Sequence, residues 1–303
     1  MRRVEGDAMD HPVLAGVDGS EHGLAAAEWA AGEAERRGVP LRLVHAAPLL
    51  PGDPSPGPAG ETLRRVGERL VQETVADLRV RHPDLRVAGR QSADAPAGAL
   101  LSEAHAAGLL VVGARGSGGF AGLAVGSVAL RVAAAATCPV VVVPGRRPGG
   151  FGNGTHAADD SDVVVGFEAH RPVDEVADFA FGTARTRGAL LRVVQAWAFP
   201  AEAVSPRTLF VTEEDRATWE DQEVLRLSDA VGVRQEKYPE VTVRADVVLL
   251  HPAEALLNAS RTASLLVVGR RTGGPDGEGR LGPVTHALLH HAGCPVAVVP
   301  HAR

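Results

Sequence analysis

The stretch VLAGVD at residues 13–18 decides the fold, because it recurs in similar form 150 residues later as VVVGFE at residues 163–168. LRLVHA at residues 41–46 also recurs after 150 residues, as LRVVQA, whereas LLVVG at residues 109–113 recurs after 156. Self-similarity over so long a period indicates two copies of one domain rather than a solenoid. A chain of 303 residues has the length of about two domains.

The composition excludes several classes of protein. The net charge is −6, without the basic surplus typical of duplex-binding proteins, so we expect no nucleic-acid partner. Lys237 is the only lysine and no G-K-S/T occurs, which excludes the P-loop NTPases. Two distant cysteines argue against a secreted disulfide scaffold. No apolar run approaches the ~20 residues of a membrane span and no signal peptide is recognisable, so we expect a cytoplasmic protein without a membrane partner.

Within each copy, short apolar runs alternate with helical patterns. In the first copy the apolar runs lie at residues 13–17, 41–46, 85–90, 109–112 and 140–143. The helical patterns between them lie near residues 20–37, 61–81, 95–107 and 126–136. Runs such as VVVV at residues 140–143 are apolar throughout, which is typical of strands buried on both faces. The alternation predicts two tandem doubly wound α/β domains, each with a parallel sheet between two layers of helices.

The domain boundary is predicted from composition. Residues 145–161 are polar, rich in glycine and without periodicity, which indicates a flexible linker. We therefore expect domain 1 at residues 1–146, a linker at 147–160 and domain 2 at 161–303. Residues 48–60 carry five prolines and are predicted to form a long surface loop inside domain 1.

Candidate site residues follow two strands of the first copy. Ligands of such sheets bind at the carboxyl ends of the strands, where residues 16–20 (GVDGS) and 113–119 (GARGSGG) lie. The glycines let backbone N–H groups approach an anion, and a helix opening at Ser127 adds free donors and the positive end of a dipole. Arg115 could add a charge. The pattern suggests a loop that holds a di- or triphosphate without lysine, and a merely flexible loop is the alternative.

Asp18 is the acceptor at the same edge of the sheet. It could accept hydrogen bonds from a ribose or an adenine amino group, as acidic residues do in other nucleotide-binding folds. The alternative is an N-cap of the following helix. Ser20 is the better-placed cap, which leaves Asp18 freer for a ligand.

The spacing Gly113-x2-Gly116-x9-Gly126-Ser127 resembles the nucleotide loop of the universal stress protein family. Residues 13–20, 43–46 and 138–140 resemble that family's first, second and last strands. The resemblance covers both copies, so the chain looks like a tandem universal stress protein with strand order 3-2-1-4-5. It implies a stress-response regulator or sensor that binds ATP with little turnover. Another adenine nucleotide is the alternative, and Mg²⁺ could accompany either.

The family pattern also implies a role for each site residue. Asp18, with Gly16 beside it, would lie by the adenosine, and Ala46 would contact the base through its backbone. The phosphates would be surrounded by Gly113, Gly116, Gly126, Ser127 and Val128, while Arg115 is a candidate from its place in the loop alone. Domains of this family pair through their last strands. The two copies are therefore expected to form an intrachain pseudo-dimer through residues 140–143 and 296–299, and a further homodimer of chains stays open.

The second copy departs from the pattern. Glu168 replaces Asp18, Thr272 stands at the position of Gly116, and Gly282 is kept but followed by Pro283. Thr272 adds a Cβ where the backbone should approach the ligand, and Pro283 removes an N–H donor and a hydroxyl. Arg270, Arg271 and Arg280 could still attract an anion. We predict a degenerate site that binds nucleotide poorly or not at all.

Metal binding and catalysis find less support in the sequence. His286 and His290 are one helical turn apart, but no third ligand is near, so we expect no metal site. His45 could be a general base at the first site, yet no partner residue is recognisable, and we predict no catalytic residue. Two alternatives to a nucleotide-binding regulator stay open. One is a slow ATPase, and the other is a structural or interaction protein whose site is empty.

Overall fold

The computed structural model describes residues 11–46, 58–117, 124–145, 162–198, 212–273 and 279–302. The predicted linker at residues 147–160 lies outside these ranges, as does most of the proline-rich loop at 48–60.

Each copy alternates strands and helices, as predicted. The first contains β1 (Val13–Gly16), α1 (Glu21–Arg37), β2 (Leu41–Ala46), α2 (Pro58–Arg81), β3 (Val87–Ser92), α3 (Pro96–Ala104), β4 (Leu109–Gly113), α4 (Ser127–Ala135) and β5 (Val140–Val143). The second contains β6 (Val163–Gly166), α5 (Asp174–Arg187), β7 (Leu191–Trp197), α6 (Glu213–Lys237), β8 (Val243–Leu249), α7 (Pro252–Ala259), β9 (Leu265–Arg271), α8 (Pro283–His291) and β10 (Val296–His301). None of the helices in the described ranges combines the length and apolarity of a membrane span.

The chain divides into two compact units. Unit 1 comprises the described residues of the first copy together with residues 270–273, 279–281 and 295–302 of the second. Its first five strands are parallel in the order β3-β2-β1-β4-β5, which confirms the predicted 3-2-1-4-5 topology for this copy. Unit 2 comprises the other described residues of the second copy, with the parallel order β8-β7-β6-β9.

Strand β10 of the second copy belongs to unit 1. It pairs antiparallel with β5, with Val298 opposite Val140 and Val296 opposite Val142. The predicted meeting of residues 140–143 with 296–299 is therefore confirmed. Because both strands are apolar and buried, their pairing covers an edge that would otherwise present unpaired N–H and C=O groups.

Local signals explain where α1 begins and ends. The Ser20 hydroxyl accepts a hydrogen bond from the Gly23 N–H at 3.0 Å, and Gly38 ends the helix in the left-handed conformation with φ of 67°. Between these residues α1 presents a row of buried alanines to the sheet, which brings the two close together. The helix therefore starts immediately beyond the end of β1, where the candidate site residues lie.

The observed β3 lies two residues beyond the predicted run. The apolar pattern predicts a strand at roughly 85–90, and the strand runs from Val87 to Ser92. Leu85 is buried in the turn before it, and four residues of β3, from Ala88 to Gln91, are not fully buried. β3 lies at the edge of the sheet and buries few of its side chains. Hydrophobic periodicity therefore gives a weak signal for its position.

Candidate functional site

Unit 1 contains a cavity of about 800 Å³ at the carboxyl ends of β1, β2 and β4. Helices α2 and α3 and the first turn of α4 complete its lining. All nine residues predicted from the sequence lie in its wall: Gly16, Asp18, Ala46, Gly113, Arg115, Gly116, Gly126, Ser127 and Val128. The fold thus brings the predicted residues together, and their contact with a nucleotide stays a prediction.

The first turn of α4 opens directly into the cavity. Gly126 is its N-cap and has no side chain to bond the first N–H groups, which belong to Ser127 and Val128 in the cavity wall. The Gly126 N–H donates to the Ala114 carbonyl at 2.7 Å, which holds the helix start against the end of β4. Uncapped N–H groups and the positive end of the helix dipole form an anion site at this position.

Gly113, at the end of β4, and Gly126, at the start of α4, differ in what a side chain at each position would contact. A Cβ on Gly113 would come within 2.6 Å of the carbonyl carbon and oxygen of His22, so this glycine is required by the packing of β4 against α1. Among the described residues, a Cβ on Gly126 would have no neighbour nearer than 3.7 Å. The backbone of Gly126, with φ of −84° and ψ of 161°, suits any residue. The packing of the described residues therefore does not explain the glycine at 126, but a ligand close to the α4 N-terminus would.

We expect Gly113→Ala to destabilise the protein by about 1–3 kcal/mol, because the added methyl group overpacks the α1–β4 contact. A thermal melt should show a loss of several degrees. Gly98→Ala is the matched control, since Gly98 is exposed within α3 and a methyl group added there would have no atom within 4 Å. That substitution should stabilise the helix slightly. Equal melting temperatures for the two variants would contradict the packing explanation.

Asp18 is less free than its sequence position suggested. Its Oδ1 accepts hydrogen bonds from the Ser20 N–H at 3.1 Å and the Ser20 hydroxyl at 2.6 Å. Its Oδ2 accepts from the Ser117 N–H at 2.6 Å, a residue 99 positions away in the loop after β4. Gly23 and Gly116 make room for the carboxylate, since a Cβ on either would lie 2.6 Å from one of its oxygens. Asp18 therefore ties the end of β1 to the candidate phosphate loop.

Burial of Asp18 raises its pKa, but hydrogen bonds from the Ser20 hydroxyl and the Ser117 and Ser20 N–H groups outweigh it. The net effect holds the pKa of Asp18 below its ordinary value of 3.8. The ionised carboxylate thus contributes stability above that value, and the contribution disappears as the pH falls through the lower folded-state pKa. We expect the stability difference between wild type and Asp18→Asn to be larger at pH 6 than at pH 2. Denaturant melts at the two pH values would measure it, and a constant difference would contradict this role.

The opposite end of the cavity is formed by the end of β2. The Val17 N–H donates to the Val44 carbonyl at 3.0 Å, so the polar backbone groups of Val44 face β1. Those of Ala46, two residues further, face the same side but lie past the end of β1, where the cavity is. The His45 imidazole donates through Nδ1 to the Val17 carbonyl at 2.8 Å, an arrangement that gives this ring a structural role.

The sequence did not predict the apolar wall of the cavity. Leu63, Val66 and Leu70 of α2 form one helical stripe along it, and Pro96 and Leu100 of α3 extend it. Leu63 and Val66 are large apolar side chains, yet 51% and 61% of their surface is exposed. Large apolar side chains that line a cavity usually contact a ligand. Their spacing of three and four residues was visible, but the same spacing describes any core-facing helix, so it could not indicate a site.

His22 is a second residue that the sequence did not indicate. The Arg115 Nε donates to the His22 Nε2 at 3.3 Å, which ties the loop after β4 to the start of α1. Among the described residues that line the cavity, Arg115 is the only arginine or lysine. Its side chain thus supplies the permanent positive charge of this wall.

In unit 2 polar side chains bond one another at the corresponding strand ends. Gln195 occupies the position of His45 and accepts from the Ala169 N–H at 2.9 Å, while its amide donates to Glu223. His170 is also bonded to Glu223, at 3.1 Å. By the 156-residue offset, Glu223 replaces Gly67, which lines the cavity of unit 1. Glu168, which replaces Asp18, is exposed.

The second loop also makes contacts of its own. The Thr272 N–H and hydroxyl both donate to the His301 carbonyl, at 2.7 and 2.9 Å. Arg270 is buried, its guanidinium donates to the Ala136 carbonyl at the end of α4 at 2.5 Å, and burial lowers its pKa. Arg270, expected as an attractor of anions, instead stabilises the carbonyl end of a helix in unit 1.

Two predicted absences concern other chemistry. Among the residues that the structure describes, no group of three or more His, Cys, Asp or Glu side chains could hold a metal ion. Cys138 and Cys294 are buried free thiols, and burial raises their pKa to about 11 and about 12. Thiols of such high pKa are poor nucleophiles at neutral pH, so both side chains act as small, buried apolar groups.

The geometry can be compared with known proteins. The model of the universal stress protein family matches residues 9–144 and again residues 161–300. The chain belongs to this family. A universal stress protein of Mycobacterium tuberculosis strain H37Rv is 32% identical over 307 residues, which cover 95% of this chain and 96% of that protein.

A similar solved structure supports the fold of this universal stress protein. The crystal structure of a universal stress protein from Archaeoglobus fulgidus DSM 4304 covers 95% of this chain and 98% of that one, with a TM-score of 0.67 and 16% identity. A universal stress protein in complex with cAMP is 26% identical over 45% of this chain and 98% of that chain, with a TM-score of 0.38. The tandem arrangement of two α/β domains is thus shared with known members.

Proposed function

We propose that unit 1 of this universal stress protein binds one adenine nucleotide, ATP, and that the protein acts as a stress-response regulator or sensor. The observation that carries the proposal is Gly126. Its lack of a Cβ serves no packing against the residues that the structure describes, yet it leaves the N-terminus of α4 open to the cavity. An anionic ligand close to that helix start is the simplest reason for a glycine there.

The cavity has an end suited to each part of a nucleotide. The phosphates would accept hydrogen bonds from the N–H groups of Ser127 and Val128, and they would form an ion pair with Arg115. The base would lie between the backbone of Ala46 and the apolar stripe of α2. A volume of about 800 Å³ is sufficient for a ligand of this size.

Mg²⁺ would be held by the phosphates and water rather than by the protein. Asp18 is the only carboxylate among the described lining residues, and both of its oxygens already accept hydrogen bonds. A site of this kind suits holding a nucleotide better than cleaving it. The ring of His45 donates through Nδ1 to a backbone carbonyl rather than to a carboxylate, so the described lining residues do not assemble an acid–base pair around it.

The tandem organisation suggests how the two copies divide the work. We propose that domain 1, residues 1–146, binds the nucleotide and that domain 2, residues 161–303, has lost its site and completes an intrachain pseudo-dimer. The Glu223 network at the corresponding strand ends supports the loss. A cytoplasmic location agrees with two buried cysteines that are free thiols.

The ligand can be identified from the purified protein. We expect mass spectrometry of a boiled extract to detect an adenine nucleotide, and to show which one. Gly126→Val protein, prepared in parallel, should release none. Equal amounts from both proteins, or a released compound without an adenine base, would overturn the assignment to this cavity.

A further inference from the structure

We propose that His22 is a positioning residue that directs Arg115 toward the phosphates of the bound nucleotide. The inference rests on the proposed function of unit 1 and adds a residue outside the cavity wall. Its basis is the hydrogen bond from the Arg115 Nε to the His22 Nε2, together with the way His22 itself is held.

Two glycines at neighbouring strand ends enclose His22. A Cβ on Gly113, at the end of β4, would lie 2.6 Å from the His22 carbonyl group, and a Cβ on Gly145, just after β5, would overlap the ring at Nε2. Neither glycine has a positive φ, so their backbones would accept other residues. Room for the His22 ring is therefore the reason for glycine at 145, whereas the glycine at 113 makes room for the backbone of α1 at His22.

The hydrogen bond leaves the useful part of Arg115 available. A guanidinium carries five N–H donors, and the bond to His22 uses the one on Nε. The terminal nitrogens can then donate together to a phosphate, the geometry in which arginine binds oxyanions best. A free arginine would lose side-chain entropy on binding, and one already held by His22 loses less.

The second copy lacks the whole arrangement. By the repeat offsets, Pro172 stands at the position of His22 and His301 at that of Gly145, although Arg271 is kept at the position of Arg115. The copy that has lost Gly116 and Ser127 has thus also lost the histidine and the glycine that makes room for it. This joint loss links His22 to the nucleotide site rather than to the fold, since both copies form the same strands and helices.

The test measures how much the phosphates add to affinity. Isothermal titration of the full-length chain with adenosine and with ATP gives the Kd of adenosine divided by the Kd of ATP. This ratio measures how much the phosphates add to affinity. We expect His22→Ala to reduce that ratio about 3- to 10-fold, by loosening Arg115, while the affinity for adenosine stays unchanged. His22→Gln, whose amide oxygen can accept from the Arg115 Nε, should retain most of the ratio.

The controls separate the inference from the proposed function. Arg115→Ala should reduce the ratio at least as much as His22→Ala, and the double variant should lose no more than Arg115→Ala alone. An unchanged ratio in His22→Ala, or an equal loss of adenosine and ATP affinity, would overturn the positioning role. A wild-type chain that binds neither compound would instead overturn the proposed function.

Discussion

Gly126→Val is expected to reduce ATP affinity by about 100-fold or more while leaving the chain folded. The valine side chain would occupy the space in front of the first turn of α4, where the N–H groups of Ser127 and Val128 face the cavity. Loss of two charge-assisted hydrogen bonds alone accounts for about 100-fold. The backbone at 126 is extended, which suits valine, and a Cβ there has no neighbour nearer than 3.7 Å.

The chain contains a matched control for this substitution. Gly282 is the N-cap of α8 in the second copy, with φ of −67° and ψ of 161°, and no atom of the described residues lies within 4 Å of a Cβ added there. We expect Gly282→Val to leave ATP affinity unchanged and to lower the melting temperature no more than Gly126→Val does, because valine is a poorer N-cap than glycine at both helices. An ATP affinity that survives Gly126→Val, or falls equally in both variants, would contradict the assigned site.

Val298→Glu is expected to destabilise unit 1 by about 5 kcal/mol or more, because it buries an unpaired charge. Val298 is 1% exposed and lies opposite Val140 in the β5–β10 pair. At a shift of about 2–4 °C per kcal/mol, thermal denaturation should begin at least about 10 °C earlier than in wild type. Nucleotide binding should be lost at the same temperature, since β5 neighbours β4, whose end forms part of the cavity.

The same substitution at an exposed valine controls for the added charge. Val80, in the last turns of α2, is 82% exposed. Surface substitutions of this kind usually change stability by no more than about 0.5 kcal/mol, so Val80→Glu should melt like wild type. If Val298→Glu also melts like wild type, β10 does not complete the sheet of unit 1.

Much of the fold could be predicted from the repeat and the apolar runs. Residues 109–113 and 140–143 are apolar at every position because helices cover both faces of the central strands, and such strands are easily recognised. The predicted position of the edge strand β3 differs from the observed one by two residues, because few of its side chains are hydrophobic and buried. Strand order came from the resemblance to a family, since periodicity does not determine which strands are neighbours.

The candidate site was predicted in part, for a similar reason. Parallel strands end at one edge of the sheet, so residues that follow β1, β2 and β4 had to meet, and they do. The groups that each residue contacts could not be predicted from the sequence. Asp18 is predicted to be freer for a ligand because Ser20 caps the helix, but its carboxylate accepts from Ser20 and also from the N–H of Ser117, a contact that depends on how a distant loop folds back.

Glycines illustrate the same limit. Gly113 and Gly126 appear equivalent in the motif, yet a Cβ on the first would collide with His22 and one on the second would not. Only the folded chain reveals what a missing side chain makes room for. The side-chain network at the second site is another example, because Glu223 lies on α6, far in sequence from the loop residues that had suggested a degenerate site.

Isothermal titration of the full-length chain with ATP is the decisive measurement, because it counts the nucleotide sites. We predict one nucleotide per chain, bound in the cavity of unit 1, and no detectable binding by Gly126→Val. Two equivalent sites per chain would contradict the division between the copies, and no binding of ATP or any other adenine nucleotide would contradict the proposed function itself.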